Sequence, residues 1–566
     1  MNRLLSIAFN LPLYGTYDYL IKDNLANIKV GMRVRASFGR KKYIGIVNEI
    51  KNEENLNNKK YKLKEIDEII DSKPILTKEI IKLCKWSSNY YQYPLGQVYF
   101  SCIPTRLKHG KDNYVKEIDS REFFYKVTDM PIRDYFRNKR AQKRIYHYIK
   151  EKRKVNPENI KSTKPLKELL NNNLIEKSYI SNEQKTTKEI ILNEEQEKAY
   201  EDIMKKITAF SPSLIEGVTG SGKTELYIRI VKDIISCGGQ ALILVPEINL
   251  TPQTLRRFEK YLNCNISEYH SAITENKKYD IWTKCKEGKI DVLIGTRSAI
   301  FLPFKSLKMI IIDEEHDVSL KQSEKFRYHA RDLSLVRSKN LDIPILMGSA
   351  TPSFESLHNC KIGKYRHILL KTRFYKTKLP SVKVVDITKD TFVEGFSSEL
   401  IKSINKELQF GKQTLLFVGR RGYSNAVLCK TCGWTSKCPK CDAYMTFHKN
   451  NDLLWCHHCG YKKHLNAENN CKSDKECKIV PLGVGTERIE KRCKELFPKA
   501  RIMRIDSDTI DNVSKLKEFI SKTQSKEVDI LVGTQMLVKG HDFPDLNLVG
   551  IIDIDAGLYS LDFRGV

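Results

Sequence analysis

Gly217, Gly222, Lys223 and Thr224 stand in the stretch GVTGSGKT (217–224), which satisfies the pattern G-x-x-x-x-G-K-[ST]. Glycines at this spacing let backbone N–H groups wrap a chain of phosphates. The lysine then reaches the β- and γ-phosphates, and the threonine hydroxyl binds magnesium. The apolar run PSLIEG before the loop predicts a strand, and ELYIRIVKDIIS after it predicts a helix, which is the context this pattern needs. About 90 residues further on, MIIIDEEH (309–316) places Asp313 and Glu314 at the end of a second apolar run. Asp313 suits holding magnesium, directly or through water. Glu314 suits orienting and deprotonating the water that attacks the γ-phosphate. Adjacent acids in a strand point to opposite sides, so their tasks differ. Lys223, Asp313 and Glu314 are thus the expected catalytic residues, facing one triphosphate from neighbouring strand ends of a single sheet. Val218, Thr219, Gly220 and Ser221 complete the expected nucleotide loop.

The elements that must position these groups are short apolar runs: PSLIEG, ALILVPE, DVLIGT, MIIIDEEH and IPILMGSA, then TLLFVG, DILVGT and LVGIIDIDA. Runs of this length, rich in Val, Ile and Leu and separated by helical patterns, fit parallel strands buried on both faces. An α/β fold with two parallel-sheet domains follows, one over 190–375 and one over 385–566. Residues 1–105 alternate in the manner of strands, with an Asn/Lys-rich loop at 51–62. Residues 106–182 read as helical and basic. Either a small winged-helix module or a plain helical linker fits them.

With 566 residues, 41% of them hydrophobic, the chain can bury several cores. Its 98 Lys plus Arg against 69 Asp plus Glu leave a net charge of +29, which suits a polyanionic partner, although a Lys/Asn-rich composition carries the same charge without one. No run of 18 apolar residues is present, so no membrane span is expected. The start, MNRLLSIAFNLPLYG, is interrupted by Asn10 and Pro12 and lacks a small-residue cleavage site, which predicts a cytoplasmic protein. Of 15 cysteines, eight cluster between 429 and 477. CKTC (429, 432), CPKC (438, 441) and CHHC (456, 459) are zinc half-sites, and their pairing favours tetrahedral four-thiolate zinc in a reducing compartment.

Taken in order, LNEEQ (192–196), GVTGSGKTE (217–225), LVPEINLTPQ (244–253), GTRSAIF (295–301), DEEH (313–316), GSATPS (348–353), GRRGYS (419–424), GVGTE (483–487) and GTQMLVKGHDFPDL (533–546) resemble the superfamily 2 helicases. Within them, the cysteine-rich insertion after RRGY is similar to the branch that restarts replication at abandoned forks. The resemblance covers nearly the whole chain. It implies two RecA-like helicase lobes, the second incomplete and carrying a zinc-binding insertion at 428–478. It also implies an ATP- and magnesium-dependent DNA helicase moving 3′ to 5′, which recognises forks and initiates primosome assembly. Gln196 would recognise adenine. Arg297 in GTRSAIF would touch the DNA backbone, with Lys539 near phosphates or nucleotide. Phe326, Tyr328 and Arg331, in the family's aromatic-rich loop (319–332), would stack on bases at about 1–3 kcal/mol each. Leu320 stands where an aromatic is expected, which weakens that coupling.

The resemblance further implies an amino-terminal module for the 3′ end of a nascent strand, with Tyr17, Asp18, Gly39 and Lys64 forming its pocket. Two zinc ions would sit in nested sites. The inner site is Cys438, Cys441, Cys456 and Cys459. The outer is Cys429, Cys432, Cys471 and a residue that departs from the family pattern, either Cys477 or Asp474, with thiolate the better ligand. Forked and single-stranded DNA, primosome proteins, the replicative helicase loader and single-stranded-DNA-binding protein are the implied partners. The sequence closes on IIDIDAGLYSLDFRGV, where family members continue into a helix bearing QVAGRAGR, whose arginines reach the γ-phosphate. This predicts a truncated or frameshifted form, since an arginine finger contributes about 10³ to 10⁵ in rate. The alternative reading is a zinc-stabilised fork-binding scaffold that binds ATP and hydrolyses it poorly.

Overall fold

The computed structural model describes residues 3–21, 27–52, 63–109, 123–128, 135–136, 139–152, 155, 163–172, 174–179, 189–246, 252–374, 380–386, 392–393, 395–418, 426–429, 434–441, 444–448, 453–456, 459–464, 479–482, 486–505, 513–534, 543–552 and 554. The chain divides into two units, Met1–Thr377 and Lys378–Val566.

The first unit begins with strands β1 (Arg3–Phe9), β2 (Tyr17–Leu20), β3 (Arg33–Phe38), β4 (Lys41–Asn52) and β5 (Ile66–Ile69). They form an antiparallel sheet in the order β2-β1-β4-β3-β5. Alternation sends Leu5, Ile7, Tyr19, Val34 and Val47 into one core. Ala8 and Ile46 face the other way, toward helices α1 (Lys78–Tyr90) and α2 (Leu95–Ser101). Arg33 and Asp71 are buried together: Nε and Nη2 of Arg33 donate to the carboxylate, Nη2 at 2.5 Å, and the Arg33 N–H donates to Oδ2 at 2.8 Å. A short helix, α3 (Thr105–Lys108), follows. Next come β6 (Phe123–Val127), α4 (Arg140–Lys152), α5 (Thr163–Asn171) and β7 (Ile175–Tyr179). Here β6 and β7 pair antiparallel, and Tyr125, Tyr146, Ile149 and Leu169 give the segment its own core. A plain helical linker would have no such pair.

The remainder of the first unit is the expected parallel-sheet lobe. Its elements are α6 (Glu194–Met204), β8 (Pro212–Gly217), α7 (Lys223–Ser236), β9 (Gln240–Leu244), α8 (Pro252–Tyr261), β10 (Ile266–Tyr269), α9 (Glu275–Glu287), β11 (Val292–Gly295), β12 (Leu307–Asp313), α10 (Ala330–Leu341), β13 (Ile345–Ser349), α11 (Phe354–Lys361) and β14 (Arg366–Leu370). Seven strands lie parallel in the order β10-β11-β9-β12-β13-β8-β14. The central strands are buried along most of their length, which is why they read as apolar runs. Arg337 on α10 bolts this lobe to the amino-terminal module. Its Nε and Nη2 donate to Glu79 of α1 at 2.8 and 3.0 Å, and its Nη1 and Nη2 donate to the carbonyls of Ile300 and Leu302.

The second unit contains β15 (Phe392–Val393), β16 (Phe396–Ser397), α12 (Ser398–Gln409), β17 (Gln413–Val418), β18 (Ala426–Cys429), β19 (Thr446–His448), β20 (Leu453–Trp455), β21 (Lys462–His464), β22 (Ile479–Leu482), α13 (Thr486–Leu496), β23 (Ile502–Ile505), α14 (Val513–Gln524), β24 (Ile530–Gly533) and β25 (Leu546–Ile552). A four-stranded parallel sheet, β23-β24-β17-β25, is interrupted between β17 and β23 by the cysteine-rich segment, as expected. Asp71→Ala should strand a buried guanidinium and cost about 3–5 kcal/mol. Removing Lys42, which meets Asp67 at 3.4 Å on the surface, should change stability by less than about 1 kcal/mol. Urea-denaturation midpoints of the two variants check the contrast.

Candidate nucleotide and zinc sites

Strand β8 ends at Gly217, and α7 starts at Lys223, so the helix N-terminus closes the loop between them. Gly220 and Gly222 have φ of +80° and +79°, a region where side chains are strained. Gly222 is doubly constrained, since a Cβ there would lie 2.1 Å from Gln196 Nε2. Lys223 Nζ donates to the Gly217 carbonyl at 2.7 Å. Gln196 is buried and has both ends of its amide engaged: Oε1 accepts from the Asn193 N–H at 2.8 Å, and Nε2 donates to the Ser221 carbonyl at 2.8 Å. In this conformation Gln196 shapes the loop, and it would have to release these partners to meet adenine.

Asp313 pairs with Gly348 across β12 and β13, and Gly348 pairs with Ile215 across β13 and β8. The acid and the phosphate loop therefore share one edge of the sheet. They do not sit on neighbouring strands as the sequence suggested, because β13 lies between them. Burial, then the charge of Glu314, push the Asp313 carboxyl up to about 6, and the Lys223 ammonium pulls the other way. Tyr227 of α7 reaches under this edge, its hydroxyl 3.4 Å from Asp313 Oδ1. Only glycine fits at 348, where a Cβ would meet that hydroxyl at 1.6 Å. Glu314 does not continue the strand alternation. Its φ of +49° is a left-handed conformation costing on the order of 1–2 kcal/mol, which turns the backbone just past the strand end. Its carboxylate lies 3.5 Å from His316 Nδ1, and that nitrogen is 2.7 Å from Ser349 Oγ.

Glu315, given no role by the motif reading, is the hub of this edge. Fully buried, it accepts from the Ser353 N–H (2.7 Å), Ser353 Oγ (3.1 Å), Ser356 Oγ (2.9 Å) and Arg331 Nη1 (2.9 Å). Burial raises its pKa, but these donors outweigh that and hold the carboxyl below its usual range. Arg331 also donates to Ser353 Oγ at 2.7 Å. The acidic strand end, the loop before α11 and the start of α10 are thereby tied together.

Three of the residues expected to stack on DNA bases are placed otherwise. Phe326 and Tyr328 are 4% and 6% exposed. Phe326 packs its ring against Tyr91, Tyr93 and Phe301, and Tyr328 lies edge-on to Phe301 with centroids 5.0 Å apart. Arg331 is consumed by Glu315. Leu320 is buried in the same cluster, so no aromatic is needed there for packing. Arg297 serves the loop as well, Nε donating to Gln322 Oε1 at 2.6 Å and Nη1 to the Ser319 carbonyl at 2.9 Å. Lys539 lies outside the described residues.

In the amino-terminal module, Tyr17 lies edge-on to Phe38 with centroids 4.7 Å apart, and Lys64 Nζ donates to the Gly39 carbonyl at 3.1 Å. Gly39 has φ of +61° and open space where a Cβ would be. Tyr17, Gly39 and Lys64 thus come together. Asp18 points to the opposite face of β2, where Lys51 Nζ lies 3.5 Å from its carboxylate. Since β2 is an edge strand, both faces flank one rim.

Cys438, Cys441, Cys456 and Cys459 converge with all sulfurs within 4.8 Å of one another. The Cys438–Cys459 and Cys441–Cys456 sulfurs are each 3.5 Å apart. Tetrahedral Zn–S bonds of about 2.3 Å require sulfurs about 3.8 Å apart, so the donor set fits zinc. Gly460, with φ of +78°, turns the chain between Cys459 and β21. The side chain of Cys429, together with Cys432, Cys471, Asp474 and Cys477, lies outside the described residues.

Residues 6–104 match a family of 3′DNA-binding domains, residues 193–360 match the DEAD/DEAH box helicases, and residues 438–463 match the PriA DNA helicase Cys-rich region. The replication restart protein PriA of Haemophilus influenzae is 35% identical over 99% of this chain and 78% of its own length. The proteins of that name from Bacillus subtilis and Rickettsia conorii are 31% and 34% identical, over 97% and 99% of this chain and 78% and 75% of their own.

Arg331→Ala should leave the buried Glu315 carboxylate with its neutral donors but no cation, at about 1–3 kcal/mol. A urea midpoint unchanged from the parent would contradict the role assigned to this pair.

Proposed function

The chain belongs to the family of the replication restart protein PriA, and on that footing we propose that it is an ATP-driven, magnesium-dependent DNA helicase. It moves 3′ to 5′, recognises stalled or abandoned forks and initiates primosome assembly. The observation that carries this reading is the shared sheet edge on which the glycine loop, Asp313 and Glu314 meet. ATP fits there: loop N–H groups and Lys223 hold the β- and γ-phosphates, and Thr224 and Asp313 would hold magnesium. Glu314 takes the proton of the attacking water, and magnesium held by Thr224 and Asp313 would supply charge neutralisation at the phosphate oxygens. Glu315 and Arg331 act by positioning, since each is engaged with the other and with Ser353.

The domain limits proposed are 1–105 for a DNA-end module, 106–182 for a winged-helix module, and 190–375 and 385–566 for the lobes, with a zinc-binding insertion at 428–478. In the end module Tyr17 stacks the last base, Lys64 meets a phosphate and Asp18 accepts from the terminal hydroxyl across the β2 rim. A second zinc ion would be held by Cys429, Cys432, Cys471 and Cys477. Cys429 pairs with Ile479 across β18 and β22, and Cys477 stands two residues before Ile479 in the sequence. Asp474 is farther along the chain. Single-stranded-DNA-binding protein, primosome proteins and the helicase loader are the proposed partners, in a cytoplasmic setting. Among the described residues no helix is long and apolar enough to cross a membrane.

Glu314→Gln should retain ATP binding and lose magnesium-dependent unwinding of a forked duplex by at least about 10²-fold. Unwinding at the parent rate would refute the motor reading, and ATP binding without unwinding by the parent would favour the scaffold. Metal analysis should find two zinc ions per chain, falling to one in Cys477→Ser. Two ions remaining in that variant would remove Cys477 from the site.

A further inference from the structure

Two buried polar atoms beside the phosphate loop lack a hydrogen-bond partner among the described residues: Ser221 Oγ and Arg373 Nε. Buried donors left unpaired are rare and costly, and a ligand that satisfies them accounts for their persistence.

Arg373 lies in the segment that leaves β14, a strand paired along β8 as far as Leu370 and Gly217. The segment is fastened on both sides of Arg373. Glu195 accepts from the N–H groups of Lys371 (2.9 Å) and Thr372 (3.0 Å) and from Thr372 Oγ1 (2.7 Å). On the far side the Phe374 N–H donates to the Gly220 carbonyl at 3.0 Å. Glu195 and Gln196 are neighbours on α6, so one helix end holds both the loop, through Ser221, and the segment carrying Arg373. The backbone at 373 is therefore fixed to the loop at its crown.

Its side chain follows the same course. A Cβ placed on Gly220 would have Arg373 Cγ, at 4.0 Å, as its only neighbour. No carboxylate pairs with this guanidinium among the described residues. An arginine offers planar donors that match phosphate oxygens two at a time, and it keeps its charge at any relevant pH. Phosphates cradled by residues 217–224 would lie against the loop that this side chain flanks.

We propose that Arg373 is a nucleotide ligand, donating to the phosphates of bound ATP or ADP from the first lobe's own side of the loop. The inference rests on the nucleotide-hydrolysis reading above and adds a binding residue that the glycine-loop pattern does not contain.

The test is equilibrium binding of fluorescent ATP and ADP analogues, with magnesium, to the full chain, beside Arg373→Gln, Arg373→Lys and Lys223→Ala. Arg373→Gln should raise Kd for both analogues by on the order of tenfold or more, with Arg373→Lys in between. The melting midpoint of each Arg373 variant without nucleotide should match the parent's. Affinities of Arg373→Gln within about twofold of the parent would overturn the proposal. So would equal weakening in the Gln and Lys variants accompanied by a lowered melting midpoint, which would mark a structural brace. If the parent and Lys223→Ala bind the analogues alike, the nucleotide reading itself fails, separately from the role of Arg373.

Discussion

The register that sets Asp313 beside Gly348 and Gly348 beside Ile215 is the constraint on which the site depends. Parallel strands end at one edge, and only this alignment brings a lysine-bearing loop and two acids to the same stretch of that edge. Gly348 is part of the constraint, because any side chain there would displace Tyr227 from beneath Asp313. Burial makes the Asp313 carboxylate reluctant to ionise, and Lys223 works against that reluctance. A magnesium ion would act in the same direction as the lysine, and more strongly.

A second layer of residues keeps the edge in shape. Glu315 gathers a backbone N–H, two hydroxyls and a guanidinium, so a buried charge that would be costly alone becomes a clamp. Through Arg331 the clamp reaches the end of the aromatic loop, and Arg297 holds the beginning of that loop. The loop's rings pack on Tyr91 and Tyr93, which belong to the amino-terminal module. Arg337 crosses the same boundary to Glu79. The module proposed to sense a DNA end is thus in direct contact with the loop that borders the hydrolytic edge.

Much of this was legible in the residues. Central strands of a parallel sheet are buried on both faces, and runs such as MIII and ALIL must be apolar throughout to survive there, so their positions could be read directly. The edge strands β10 and β14 gave weaker signals, since ISEY and RHILL are partly exposed and mix charges with apolar residues. Spacing alone also marked the C-x-x-C half-sites, while the grouping of Cys438, Cys441, Cys456 and Cys459 on one ion came from the resemblance and from the convergence of their sulfurs within 4.8 Å.

What spacing cannot convey is which neighbours a side chain will meet. Phe326, Tyr328 and Arg331 have the composition of a nucleic-acid surface, yet their partners Tyr91, Phe301 and Glu315 lie up to about 235 residues away in the chain and claim them for the interior. Glu315 looked like one more acid in a run, and Arg373 lies in none of the motifs. The sequence by itself determined the strands, the phosphate loop and the C-x-x-C half-sites, because each is a local pattern. Only the tertiary structure decided which polar groups are paired and which are left for a ligand, because that depends on burial and on contacts between distant segments.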